Sequence, residues 1–286
     1  MSAVVGSIWQ MGRTRRQTIA AFALALPFLL FGPNPASAKS ADLWDIWAEH
    51  DEASTARIEH GAWDQFLGKY VYPDQSGVNR VAYDKVTEQD RAILKAYIAR
   101  LAGLRITAYP RAEQEAYWVN LYNALTLDVV LDHYPVKSIR DIDISGLFSN
   151  GPWGKDLVEI EGHGVSLDDI EHRILRPIWQ DPRTHYVVNC ASIGCPNLLP
   201  VAVTADTLDE IKTEAARAYI NHPRGVTITG KTATISKIYD WFAEDFGGSE
   251  SGIRTHLMLY ADPALAKAIT QVEDFDYAYD WSLNHG

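Results

Sequence analysis

Cysteine is scarce. Only Cys190 and Cys195 occur in 286 residues, too few for a disulfide-built scaffold. Positive charge is also short: Lys and Arg total 26 against 37 Asp and Glu, a formal charge of −11. Nucleic acid is therefore not expected as a partner, because neutralising phosphates takes a basic face. After residue 31 no apolar run is long enough to span a bilayer, so no membrane span is expected in the mature chain. The nine histidines are dispersed, without a His-x-x-x-His pair or a compact Cys/His cluster, so neither a metal nor another cofactor is expected. The Gly-x-Ser-x-Gly elbow of α/β-hydrolases is missing too.

What is present is ordinary for a globular protein: 47% apolar and 22% charged residues. The first 38 residues stand apart. They carry Arg13, Arg15 and Arg16 and no acid, then an apolar run from Ile19 to Phe31, then Ala36-Ser37-Ala38. This is the pattern of a secretory signal peptide cleaved after Ala38. The general secretory route is expected, with the twin-arginine route, suggested by Thr14-Arg15-Arg16-Gln17, as the alternative. Cleavage would leave 23 basic residues against 37 acidic ones in residues 39–286. The expected location is periplasmic or secreted, where disulfides persist.

Apolar spacing predicts helices over residues 41–70, 87–104, 113–133, 167–175, 206–221, 238–246, 251–260 and 263–269. Short strands are expected at 78–86, as a hairpin around 157–165, at 185–190, and as a hairpin at 226–228 and 232–235. Residues 272–283 read as irregular strand. Helices outnumber strands and do not alternate with them regularly. The fold class is therefore α+β: one helix-rich domain over residues 39–286 with a small, mainly antiparallel sheet.

Three segments hold the candidate chemistry. In His185-Tyr-Val-Val-Asn-Cys190-Ala-Ser-Ile-Gly-Cys195-Pro-Asn197 two cysteines flank a small-residue turn. They suit a structural disulfide, a thiolate nucleophile or redox pair, or two inert thiols. On a strand, His185 and Cys190 would face opposite ways. The helix 113–133 places Glu113, Tyr117, Asn120 and Asn123 on one side, where the carboxamides either orient an imidazole or tie the helix to a loop. Asp168 and His172, at i and i+4, can meet, and Glu171 precedes the imidazole. The candidate catalytic residues are thus Cys190, His185, His172, Glu171 and Asn120. Candidate binding residues are Glu113, Tyr117, Asn123, Asn189, Ser192, Cys195 and Asn197.

Four segments in this order, residues 116–125, Leu167-Asp-Asp-Ile-Glu-His172, residues 185–196 and Tyr279-Asp-Trp-Ser-Leu-Asn284, resemble the domain-of-unknown-function family 547. Ser236-Lys237-Ile238 and Trp241 before Asp245-Phe246-Gly247 fit the downstream pattern, so the resemblance spans residues 60–284. It implies a domain rather than an activity. Family members occur as exported bacterial proteins, and similar eukaryotic domains lie beside coiled coils or glutaredoxin-like modules. By analogy, a helical half joined to a small sheet, with Cys, His and Asn at hand, is similar to papain-like and transglutaminase-like hydrolases. The leading expectation is an exported module binding a peptide, glycan or protein ligand, stapled by Cys190–Cys195. The alternatives are a hydrolase or acyl transferase with Cys190 as nucleophile, and a thiol–disulfide partner.

Overall fold

The computed structural model describes residues 40–146 and 150–286; the expected signal peptide lies outside them. A 3₁₀ turn at Asp45–Ala48 precedes α1 (Gly61–Tyr70), which buries Trp63, Phe66, Leu67 and Tyr70 at helical spacing. The continuous helix expected over 41–70 is interrupted. The side chains of Asp51 and Ser54 accept from the amides of Ala53 and Ala56, and such local bonds compete with helix. A hairpin follows, β1 (Val71–Pro73) with β2 (Asn79–Val81). The helix α2 (Glu88–Ala102) starts at Thr87, whose hydroxyl accepts from the Asp90 amide at 3.2 Å.

The axis of the molecule is α3 (Arg111–His133), whose side chains are almost all buried from Glu113 to Leu131. At 1.5 Å per residue its 23 residues span about 34 Å. The hairpin β3 (Val158–Ile160) and β4 (His163–Val165) leads to Ser166, whose side chain caps the next helix through the Asp169 amide. That helix opens as a π-helical stretch, Asp169–Leu175, and continues into α4 (Arg176–Trp179). The strand expected at 185–190 is absent. Pro182 and an Asp181 side chain accepting from the Arg183 amide set a 3₁₀ turn at Pro182–Tyr186, and an irregular loop follows.

The second half holds α5 (Leu208–Ile220), the hairpin β5 (Val226–Thr229) and β6 (Thr232–Ser236), then α6 (Ile238–Trp241), α7 (Glu250–Tyr260), α8 (Pro263–Ile269) and β7 (Asp274–Ala278). β5 pairs with β6 antiparallel, and β7 joins the other edge of β6 in parallel, Ile235 opposite Tyr277. A parallel partner needs a long crossover, which α6–α8 provide. The result is α+β with three small sheets, mainly antiparallel.

Two apolar cores result. One surrounds α3 and includes Val187, Val188, Ala191 and Leu283; the other packs Tyr186 with α5, β5, β6 and α7. Residues 186–198 therefore run along the seam between them. Among the described residues, no helix is long and apolar enough to cross a membrane.

Candidate functional site

The seam segment is held by carboxamides. Asn123 on α3 donates to the Val187 carbonyl and accepts from the Asn189 amide, at 2.8 Å each. Asn189 in turn donates to the Pro196 carbonyl at 2.7 Å and accepts from the Ala191 amide at 2.8 Å, spanning the mouth of the turn. Ala191 is thereby held at φ +57°, a left-handed conformation unfavourable for a residue with a Cβ. From behind, Arg224 donates to the Ile193 and Cys195 carbonyls, and the Tyr219 hydroxyl donates to the Gly194 carbonyl.

The front of the turn is covered by residues 279–286. The amides of Ile193 and Gly194 donate to Ser282 and Asp280, and the Asn284 amide donates to Ala191. A Cβ on Gly194 would lie 2.7 Å from the Asp280 nitrogen, so only glycine permits this approach.

Within this frame Cys190 and Cys195 are free thiols, their sulfurs 3.1 Å apart. The expected disulfide, with an S–S bond of about 2.05 Å, is not formed. The two sulfurs differ. Cys190 is half-buried and Cys195 is buried. Hydrogen bonding from Cys195 outweighs burial and, with Ser192 and Tyr279, lowers the Cys190 pKa below the usual thiol value. Burial, and then Cys190 itself, push Cys195 well above it. The Tyr279 hydroxyl lies 3.0 Å from the Cys190 sulfur and accepts from Ser192 at 3.0 Å.

Beside the thiols runs a line of charge. The Tyr122 hydroxyl donates to Glu171 at 3.0 Å; Glu171 lies 3.5 Å from His185 Nδ1; His185 Nε2 lies 2.7 Å from Asp245; and Asp245 takes two bonds from Arg176, at 2.6 and 3.1 Å. Burial pushes Glu171 and Asp245 up. The pull of His172, His185 and Tyr122 on the first, and of His185 and Arg176 on the second, outweighs it, leaving each at about 2. Burial would lower His185, yet Asp245 and Glu171 raise it. The expected Asp168–His172 contact exists, at 3.6 Å, and His172 Nδ1 also meets Arg176 at 3.3 Å.

Other expected residues lie elsewhere. Asn120 exchanges two bonds with the Val203 backbone and orients no imidazole. The Tyr117 hydroxyl donates to the Leu101 carbonyl. Glu113 binds Arg57 and the Ile58 amide beside a surface hollow of about 370 Å³. Asn197 anchors the β1–β2 turn through the Asn79 amide and the Gly77 carbonyl, and receives Arg224. Ser192 does join the thiols.

Sequence reasoning missed Tyr279, Tyr122, Asp245, Arg176 and Arg224 as site residues. Tyr122, Tyr279 and Asp245 lie within the family-like segments; Arg176 and Arg224 carry no local signal. Gly225-Val-Thr-Ile-Thr-Gly-Lys-Thr232 has the spacing of a phosphate-binding loop. Here it forms the β5–β6 hairpin rather than a strand–loop–helix, and Lys231 pairs with Glu273, so it cradles no phosphate. Among the described residues, no group of three His, Cys, Asp or Glu is placed to hold a metal.

No curated protein and no solved structure matches the chain. The profile of one family matches residues 106–220, a stretch running from the start of α3 through the thiol turn to the end of α5. Over this segment the chain matches the model of the family described as protein of unknown function, DUF547.

Proposed function

We propose that the chain is a thiol–disulfide exchange protein in which Cys190 attacks and Cys195 resolves. The carrying observation is the asymmetry of two free sulfurs 3.1 Å apart, one half-exposed with a lowered pKa, the other buried with a raised one. The Cys190 thiolate attacks one sulfur of a substrate disulfide, forming a mixed disulfide and expelling the other half as thiolate. The Cys195 sulfur then attacks Cys190 Sγ. The internal disulfide forms, the second substrate thiolate leaves, and the Cys195 proton passes to the expelled thiolate. The substrate is reduced by two electrons and the pair is oxidised by two; the reverse order oxidises a substrate dithiol. In the exported, oxidising compartment expected from residues 1–38, such a pair would cycle against partner disulfides.

Hydrolysis or acyl transfer at Cys190 draws less support. His185 and His172 direct their ring nitrogens at carboxylates and Arg176. The amides of Ala191, Ile193, Gly194 and Cys195, which would serve a developing oxyanion, already donate within the protein. A ligand-binding role has one observation in its favour: the half-buried rings of Trp241, Tyr279 and Trp281 lie 4.7–5.4 Å apart next to the thiols.

Equilibrating the protein in glutathione redox buffers, then trapping thiols by alkylation and weighing the protein, tests the exchange reading. A single two-electron transition between about −300 and −120 mV is expected. A pair that stays reduced, or stays oxidised, throughout overturns exchange and leaves the aromatic surface as the working feature.

A further inference from the structure

The family match ends at residue 220, while the turn bearing the thiols is covered by the last eight residues of the chain. We infer that Tyr279 is a hydrogen-bond donor that stabilises the thiolate form of Cys190 beside Cys195, making the C-terminal segment a working part of the site rather than a closing strand; this rests on the exchange reading.

Donor counting carries it. Ser192 has one hydroxyl proton, directed at the Tyr279 oxygen, and its Oγ also lies 3.2 Å from Cys190 Sγ. The Tyr279 proton is then directed at Cys190 Sγ, 3.0 Å away; Cys190 Sγ donates to Cys195 Sγ at 3.1 Å while it is a thiol, and once it loses that proton the Cys195 S–H can donate back to it. The relay runs Ser192 to Tyr279 to Cys190, each bond polarising the next. Burial and the adjacent Cys190 keep the phenol protonated, so it stays a donor throughout the range in which the thiol titrates.

The fold fixes this placement from both ends. β7 delivers Tyr279 directly off its parallel pairing with β6, where the Lys237 amide donates to the Ala278 carbonyl. Beyond it, Asp280, Ser282 and Asn284 bond the thiol turn itself. Asn284 is buried, donates to Asn189 and accepts from the Tyr83 hydroxyl. The Tyr279 ring packs against Trp241 and Trp281, with centroids 4.8 and 4.7 Å away, and the two indoles touch each other at 5.4 Å. A phenol packed against two indoles and held at both backbone flanks is fixed beside the sulfur.

The test is the pH–rate profile of iodoacetamide labelling at Cys190 in fully reduced protein, resolved by peptide mass, for wild type, Tyr279→Phe and Ser192→Ala. Tyr279→Phe keeps the ring and its stacking and loses the hydroxyl, both the donor to Cys190 and the acceptor from Ser192. Its midpoint should rise by about 1 pH unit, with the high-pH plateau rate unchanged. Ser192→Ala should raise the midpoint by a smaller amount through the weakened relay. A structural role would instead raise the plateau, because a loosened segment exposes the sulfur. An unshifted midpoint in Tyr279→Phe, or a plateau change alone, overturns the inference. The profile is read on the dithiol form, so it stands apart from whether the disulfide forms. A shifted midpoint without a redox transition sinks the exchange reading alone; a transition without a shift sinks this inference alone.

Discussion

Along Glu171, His185, Asp245 and Arg176 the charges alternate, and each group is neutralised by the next; around Cys190 Sγ, a neighbour of the same Glu171, the hydrogen-bonding partners are a thiol, a phenol and an alcohol. Both regions are polar and both lie against buried aromatics, but they do different work. In the first, ionic partners saturate one another. His185 is 4% exposed, stacks on Phe242 at 4.3 Å, and its two nitrogens face two carboxylates. Such a chain fixes the helix after Ser166 to the segment after α6. In the second, neutral donors stabilise negative charge on sulfur without cancelling it, so the sulfur keeps its nucleophilicity. An imidazole adjacent in sequence to a cysteine is therefore no guide to its partner in space.

Breaking the charged line should have the largest effect. Arg176→Ala leaves Asp245 and Glu171 with the His185 ring alone between them, and removing one partner of a buried ion pair costs about 3–5 kcal/mol. Urea unfolding at neutral pH measures it, and a loss under about 1 kcal/mol would show the line to be ornamental.

The pH dependence of stability sharpens the contrast next. His185 has a raised folded pKa, so its contribution is complete below its unfolded value of about 6.5 and is lost as pH rises through the folded value. Glu171 and Asp245, lowered to about 2, contribute above about 4 and lose that contribution as pH falls toward 2. His60 and His256, lowered to about 4 by burial and nearby positive charge, act oppositely to His185: stability falls as pH drops from about 6.5 to 4. Denaturation midpoints for wild type and His185→Gln across pH 3–9 should show the alkaline decline flattened in the variant. An unchanged decline would remove His185 from the account.

Smaller effects are expected at the sulfurs. Cys195→Ala removes the thiol whose hydrogen bond lowers the Cys190 pKa and should slow iodoacetamide labelling of Cys190 at pH 7 by about tenfold, at a cost in stability of about 1–2 kcal/mol. Faster labelling would mean that Cys195 shields the sulfur rather than stabilising it. Least of all, Ala191→Gly relieves the left-handed backbone and should leave stability level or up to about 1 kcal/mol higher by the same urea assay.

Sequence periodicity located α3 to within two residues, because its apolar spacing is sustained and Pro135 follows its end. It placed two of the three hairpins, at turn glycines, and missed the one formed by β1 and β2. It failed at 185–190, where a short apolar run is compatible with strand or turn and the deciding cap, Asp181, lies outside the run. The thiol turn itself was legible as a site from its cysteines. Its chemistry was not: Tyr279 reaches Cys190 from 89 residues away and Asp245 reaches His185 from 60, distances in sequence that local pattern does not encode. Of the two uses left open for the carboxamides, the structure shows Asn120 and Asn123 tying α3 to loops.

The most direct measurement is the relative alkylation of the two cysteines in native, fully reduced wild-type protein from pH 5 to 10, followed by peptide mass. The account predicts that Cys190 is modified first, with a midpoint below the ordinary thiol value of about 8.5, while Cys195 stays unmodified until the protein unfolds. Equal rates at both sulfurs, or a Cys190 midpoint at or above that value, would contradict it.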